Sequence, residues 1–589
     1  MGGQALRLGP FTGGLNTASD ASTIADVELA ECLNFEQDID GSLKSRTPFK
    51  EIAGHANFTS RILFLCEAIF GTDHYLICSN SDGVFYFING AFTLITSAFE
   101  AGAAVQYSDK VYLVPAPGSG NGGKWDPSGG FTAVAAIPKG RSAVIHKERL
   151  YVVPGIDATA TTSRLKFSDP GNFDSWPASN FIDVSPGDGT KLVDLTVMQD
   201  NLLLFKQQSS FLLAYDVRPD DAVLREISST IGVNRQFNLV NYENQVYLFS
   251  SGWVYELINY DFNRINTKVP FIRDDTVPSS FSNEFIFLSL LEDRLICRFY
   301  RKIYVYNLRT RSWSEWESKE TNLHYFGPIS TVRPATGNEY YAGSCVLANK
   351  TAIKFLDKAV STDTEMPLAA NVRQAVATGA PLISNYFITS DSDAVDININ
   401  DYVQLYTSGD VLKEGTRFKV TNKISISGTT SIYFTPSAVA LTSTGEKLKV
   451  LPTIYCHVRT KNFDMAASHQ FKRLWWWGAD IETNNEVVGI ATPITSSFIV
   501  TWDDLANYTW DQLNTWDQPL TAPSLIQTVR STGLGVVREF IKFDKSLRYR
   551  QINFKVELYT VGNTIDGPAK LFTMTALTEA RQVVSKAVS

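Results

Sequence analysis

The sequence predicts an all-β protein: a six- to seven-bladed β-propeller with an additional small β-barrel or sandwich insert and a C-terminal β-sandwich platform. Three observations predict it. Tyr, Phe, Thr, Ser, Val and Ile are abundant, aromatics reach 12% and charged residues only 19%, a composition that favours folded strands over helices or disorder. A hairpin phrase recurs through the first 360 residues. The last third returns to long alternating strands.

The chain has 589 residues, too many for one core; domain-size priors give roughly three to five domains unless a repeat absorbs the length. Residues 1–55 read as an N-terminal extended arm. Phe11-Thr12-Gly13-Gly14-Leu15-Asn16 has no helical period, a short helix is expected over Thr23 to Phe35, and Asp38-Ile39-Asp40-Gly41 makes a turn before Ser42 to Arg46.

Residues 56–360 carry the repeat. A loop with an acidic or amide residue leads into large apolar residues at Thr72-Asp73-His74-Tyr75, Ser108-Asp109-Lys110-Val111, Lys147-Glu148-Arg149-Leu150, Gln199-Asp200-Asn201-Leu202, Glu243-Asn244-Gln245-Val246, Glu292-Asp293-Arg294-Leu295 and Gly337-Asn338-Glu339-Tyr340. Successive phrases start 36 to 52 residues apart, near the length of a four-stranded blade. Each reads as a hairpin turn followed by a central strand.

Within this region Ser163-Arg164-Leu165-Lys166-Phe167 reads as a strand. Asp169-Pro170-Gly171 turns the chain, because Pro170 fixes φ and Gly171 tolerates positive φ. Trp176 then plugs the corner. Residues 361–455 read as a connector and a small β-domain, with strands at Asn385 to Ile388, Val403 to Tyr406, Thr416 to Val420, Ser431 to Thr435 and Lys447 to Leu451.

Residues 456–589 read as the platform, with strands through Trp475, Trp476 and Trp477 and through Arg548 to Leu558. Between them three Thr-Trp-Asp units place Trp502, Trp510 and Trp516 at uneven spacing, which reads as Trp-anchored turns. The segment from Glu579 to Val588 reads as a short helix.

Chemistry-bearing motifs are few. The net charge of −8 argues against a sequence-reading nucleic-acid protein, although an acidic wall lets DNA slide without sticking. The six histidines form no HxH or HExxH pair, and neither a nucleophile elbow nor a phosphate loop occurs. Ser185-Pro186-Gly187-Asp188-Gly189-Thr190 could gather oxygens around a cation, but a turn is the plainer reading. Asp503-Asp504 offers a carboxylate pair of the kind glycosidases use, as any acidic chain does. Cys32, Cys66, Cys78, Cys297, Cys345 and Cys456 fit no zinc or disulfide spacing and read as buried thiols in a reducing cytoplasm. No apolar run reaches bilayer length. No catalytic residue, metal or cofactor is expected.

The opening Gly13-Gly14-Leu15-Asn16, the Asn34 and Arg46 that follow, the FSDPGNFDSWP corner (167–177), FKQQSSFLL (205–213), FKRLWWWGAD (471–480) and RYRQINFKVEL (548–558) together resemble short-tailed bacteriophage tail nozzles of the tail tubular protein B type. The resemblance spans most of the chain by order, without the insert. It implies a virion protein, assembled in the bacterial cytoplasm, that forms a homohexameric ring below portal and adaptor. Such a ring continues the DNA channel, offers surfaces to fibres or spikes, and has no stable membrane insertion. Phe11, Asn16, Asn34, Arg46, Asp169, Trp176, Trp475, Trp476, Trp477, Trp502, Trp510 and Trp516 are then candidates for framework or ring contacts. Two alternatives remain: a minor tail or tail-tip protein of a long-tailed phage, and a propeller that binds or cleaves host-surface carbohydrate.

Overall fold

A computed structural model describes residues 4–580 except 53–61, 272–285, 317–325, 333–338, 345–351, 356–373, 380–385, 436–444, 464–471, 495–524, 531–536, 562–569 and shorter gaps of up to four residues. Nearly all elements are strands; among the described residues the one α-helical element is the turn Asp391–Ala394.

Six successive units of four antiparallel strands occupy residues 64–96, 101–133, 142–183, 192–228, 239–264 and 286–316. A seventh comprises Phe326–Val332, Glu339–Ser344 and Ala352–Phe355, and takes its fourth strand from the N-terminal Phe49–Ile52, with Phe355 opposite Phe49. The first strands of neighbouring units pack side by side all the way round, and Phe326–Val332 returns to Phe64–Phe70. The chain is therefore a closed seven-bladed β-propeller whose last blade joins strands from both ends of the repeat.

The recurring phrase is the turn between the first and second strands of each blade. Ser108, Lys147, Glu148, Gln199, Asp200, Glu243, Asn244 and Glu292 all have positive φ there, as tight hairpins with native strand twist require. The second and third strands are apolar because both faces lie against neighbouring blades. Between blades four and five, Val193, Leu203, Phe205, Val246, Leu248 and Leu257 are fully buried, each contributing about 2 kcal/mol.

Side-chain amides also button the blades together. Asn241 Nδ2 donates to Val197 O at 2.5 Å, from blade five to blade four. Gln106 of blade two accepts from Ile69 N of blade one at 2.7 Å. One such link spans the axis: Gln236, just before blade five, donates Nε2–H to Gly102 O of blade two at 2.8 Å, three blades away.

The N-terminal segment is not a free arm. Gln4–Leu8 pairs with Lys570–Ala580, Glu28–Leu33 pairs with Thr453–Thr460, and Phe35–Gln37 and Leu43–Ser45 join the sheet of Lys472–Thr483. Two sheets thus face each other as a sandwich, with Leu29, Phe35, Cys456, Val458, Trp477, Ile552, Phe554 and Met574 between them. The helix expected over Thr23 to Phe35 is instead the strand Glu28–Leu33. Its partner strands lie hundreds of residues away, and that pairing overrides local preference.

The insert is a closed six-stranded barrel of Gln374–Gly379, Tyr386–Ser390, Thr429–Thr435, Leu412–Ile426, Tyr402–Tyr406 and Lys447–Val450. Gln374–Gly379, expected as connector, is a strand that closes it against Lys447–Val450. Phe387, Ile397, Val403, Leu405, Phe418, Val420, Ile432 and Leu448 fill the barrel.

Candidate functional site: the joint between propeller and sandwich

Glu28–Leu33 builds the joint. On one side it pairs with the sandwich strand Thr453–Thr460; on the other, Leu33 meets Glu315 in the outer strand of blade six. One ten-stranded sheet therefore runs from blade six through the N-terminal strap into the sandwich. Gly13 and Gly14 let the strap through. A Cβ on Gly13 would meet Glu28 Cγ at 2.4 Å, and one on Gly14 (φ 64°) would meet Ser312 Cβ at 2.8 Å.

Phe11 and Leu15 drop into the shared core. Asn16 Nδ2 donates to Glu28 Oε2 at 2.8 Å, and Asn16 Oδ1 accepts from Ala18 N at 3.2 Å. Burial pushes the Glu28 carboxyl up. The Lys268 ammonium at 2.7 Å, with the Ala25 N–H and Asn16, outweighs burial and holds it below the usual range.

Asn34 adopts φ 57° and joins three bodies. Its N–H donates to Glu315 O of blade six at 2.7 Å. Its carbonyl accepts from Arg46 N at 2.9 Å and from the sandwich thiol of Cys456 at 3.3 Å. Its Oδ1 accepts from Arg46 Nε at 3.0 Å. Beside it, Arg294 at the axial turn of blade six pairs with buried Glu36 of the strap at 2.6 Å. Glu36, Glu292 and Asp293 keep that guanidinium charged despite burial.

Glu31 of the strap accepts from His457 (3.2 Å) and Arg459 (2.8 Å) of the sandwich strand, which hold its carboxyl down at about 2. Burial pushes the Cys32 thiol up, and Cys66 up to about 12, so neither is a nucleophile at neutral pH. Cys345 lies outside the described residues. Among the described residues, no three His, Cys, Asp or Glu side chains gather as metal ligands, and no helix is long and apolar enough to cross a membrane.

The other candidates separate. Asp169 caps the blade-three corner, accepting from Ser175 Oγ at 2.5 Å and Asn180 Nδ2 at 3.2 Å. Trp176 packs against this corner, but the fully buried ring there is that of Phe173. Phe173 is fully buried against Tyr107 and Tyr112 of blade two, while half-buried Trp176 donates its indole N–H to Phe173 O at 2.7 Å. Phe173 was legible only as one apolar residue among the loop's polar ones.

Trp477 is buried against Phe554, ring centroids 5.1 Å apart. The register shift between Leu474 and Trp476 makes Trp475 the extra residue of a bulge. Trp502, Trp510, Trp516, Asp503 and Asp504 lie outside the described residues, as does the segment after Ala580.

The Ser185 to Thr190 turn does gather oxygens, around a cation the chain supplies itself. Fully buried Lys206 donates Nζ to Asp188 Oδ1 (2.5 Å), Ser185 O (2.9 Å) and Val184 O (3.2 Å).

No family model matches the chain, and no curated protein matches it by sequence. Among solved structures it is similar to the extracellular domain of a hybrid two-component system from B. thetaiotaomicron, at 8% identity and TM-score 0.38, covering 63% of this chain and 45% of that one. It is also similar to the WD40 domain of Neurospora crassa Pan2, at 10% identity and TM-score 0.34, covering 51% and 92%. The chain thus spans under half of the first structure it matches. The propeller rests on its own sheet order, seven blades closed by an N-terminal strand.

Proposed function

We propose that this chain is a structural protein of a bacteriophage tail nozzle, without catalysis. Copies form a ring below portal and adaptor, DNA passes through a lumen between copies, and outer surfaces carry fibres or spikes. The observation that carries this reading is the ten-stranded sheet fusing blade six, strap and sandwich. The strap is laddered to the sandwich strand Thr453–Thr460 and bridged to blade six at Leu33 and Glu315, so backbone hydrogen bonds tie the three bodies, which suits a part that must hold while DNA is expelled. The Gln236–Gly102 bond crosses the propeller axis, so the lumen of this reading is not the propeller's own. The net charge of −8 suits a wall that DNA slides past.

Electron microscopy of the purified protein and of disrupted virions tests the proposal. The expected result is a ring of about six subunits around a channel of duplex width. A persistent monomer that binds or cleaves polysaccharide would overturn it.

A further inference from the structure

One outer face of the barrel carries no charge. Phe387, Thr389, Thr430, Ile432 and Phe434 are buried inside, so the alternate positions on their strands look outward. Cross-strand register then sets three rows over Tyr386–Ser390, Thr429–Thr435 and the end of Leu412–Ile426. Tyr386 lies beside Tyr433, which lies beside Asn422. Ile388, Ser431 and Ile424 make the second row, and Ser390, Thr429 and Ile426 the third. None of these nine positions is charged, in a chain of which 19% is. Lys419 stands beyond the first row, opposite Thr435. Lys423 alternates with the outward positions and gives its ammonium to Ala394 O and to Ile397 O at 2.6 Å.

Each row mixes apolar and polar groups. The half-buried Tyr386 and Tyr433 rings sit 5.4 Å apart, tilted by 34°, and form an aromatic pair at one end. Ile424 and Ile426 are 41% and 67% exposed. Between them and around them lie exposed Asn422 and Thr429 and half-buried Ser431. Asn422 is held in place, its Oδ1 accepting from Lys423 N at 2.8 Å. Thr429 is held too, donating Oγ1–H to Ile426 O at 3.0 Å.

This mixture selects the occupant. A phosphodiester chain is held by cations, and the three rows have none. An amphipathic helix or a lipid surface needs an unbroken apolar stripe, and an amide or hydroxyl side chain interrupts every row. A sugar ring is divided in the same way as the face, with C–H groups on its flat sides and hydroxyls round its rim. The flat sides stack on aromatic rings, and the rim bonds to amides and hydroxyls. With strands about 4.8 Å apart and a rise of about 3.4 Å per residue, three rows on three strands cover about 10 Å by 14 Å. That is room for a few sugar rings in line.

We propose that this barrel face binds a neutral polysaccharide. Tyr386 and Tyr433 stack on one sugar ring, Ile424 and Ile426 cover the flat side of the next, and Asn422, Ser431 and Thr429 bond the hydroxyls between. The site lies within one copy, so it is independent of the ring assembly proposed above.

The full-length protein on an array of purified bacterial surface polysaccharides, neutral and acidic, with duplex DNA as a further probe, tests the site. The wild type should bind neutral members in preference to acidic ones and DNA. On the best neutral member, Tyr433→Ala should weaken binding about tenfold. Tyr433 is half-buried, so Ile424→Arg serves as a second variant; its exposed side chain should leave circular dichroism unchanged while binding is lost. A wild type that binds no neutral polysaccharide, or binds acidic members or DNA as tightly, would overturn the site. So would an Ile424→Arg variant that binds as the wild type does. A variant that keeps polysaccharide binding but loses rings would assign the face to a second copy instead. Electron microscopy of the same preparations reads the ring separately. Rings without binding remove the site alone, and a monomer whose binding fails in both variants removes the ring reading alone.

Discussion

Arg46 Nε donates to Asn34 Oδ1 at 3.0 Å, and the same two residues are bonded again through backbone, Arg46 N to Asn34 O at 2.9 Å. This double link sits where strap, blade six and sandwich meet. Because Asn34 has φ 57°, its backbone and its amide can be separated by substitution. Asn34→Gly keeps the conformation and loses the amide; Asn34→Ala loses both. Urea unfolding should show a loss of about 1 kcal/mol for the glycine variant and about 2–3 kcal/mol for alanine. Equal losses would mean the left-handed backbone carries no strain.

Lys206 is a second buried contact with a measurable consequence. Lys206→Met removes the donor to the Val184 and Ser185 carbonyls and leaves Asp188 with only its Thr190 bonds, and should cost about 3 kcal/mol. Since the ammonium already fills the oxygen cradle, calcium or a chelator should leave the wild-type unfolding midpoint unchanged. A midpoint that rises with calcium would show that the loop takes a metal instead.

Two carboxyls give stability opposite pH slopes. Burial raises Asp194 from 3.8 to about 6, so its contribution is full below about 3.8 and is lost as pH rises through 6. The His457 bond, with Arg459, lowers Glu31 from 4.5 to about 2, so its contribution is present above 4.5 and is lost as pH falls toward 2. Asp194→Asn should therefore gain on the wild type between pH 4 and 7. Glu31→Gln should cost most at neutral pH and converge with the wild type below pH 3. Urea midpoints across pH 3–7 check both, and parallel curves would refute the assignment.

The blades were legible because their signal is local. A two-residue turn with positive φ, such as Gln199-Asp200 or Glu243-Asn244, announces itself in the residues that tolerate it. The strap was not, because its partners are remote: Leu33 pairs with His457, and Leu8 with Met574. No window around Glu28 contains the information that makes it a strand. Of the site, Gly13-Gly14 and Asn34 could be picked as special residues, but not what they touch. The Asp188 cradle was visible while its cation, 18 residues on, was not.

Removing residues 1–52 should do more than trim an end. It strips blade seven of its fourth strand and the sandwich of Gln4–Leu8, Glu28–Leu33, Phe35–Gln37 and Leu43–Ser45. The exposed edge Ala352–Phe355 and the core around Cys456, Val458 and Phe554, bared by the loss of Leu29 and Phe35, should make the product aggregate, read by size-exclusion chromatography. A soluble monomer with wild-type circular dichroism would refute the strap's role.

The pairing of Gln4–Leu8 with Lys570–Ala580 also bears on synthesis. Gln4–Leu8 must wait for a partner strand that is synthesised hundreds of residues later, and blade seven must wait for residue 355 before Phe49–Ile52 has a place. A chain terminated before residue 352 can complete neither body. Interrupted translation products are thereby kept out of any higher assembly, and the cell's proteases meet them with bare edges to grip.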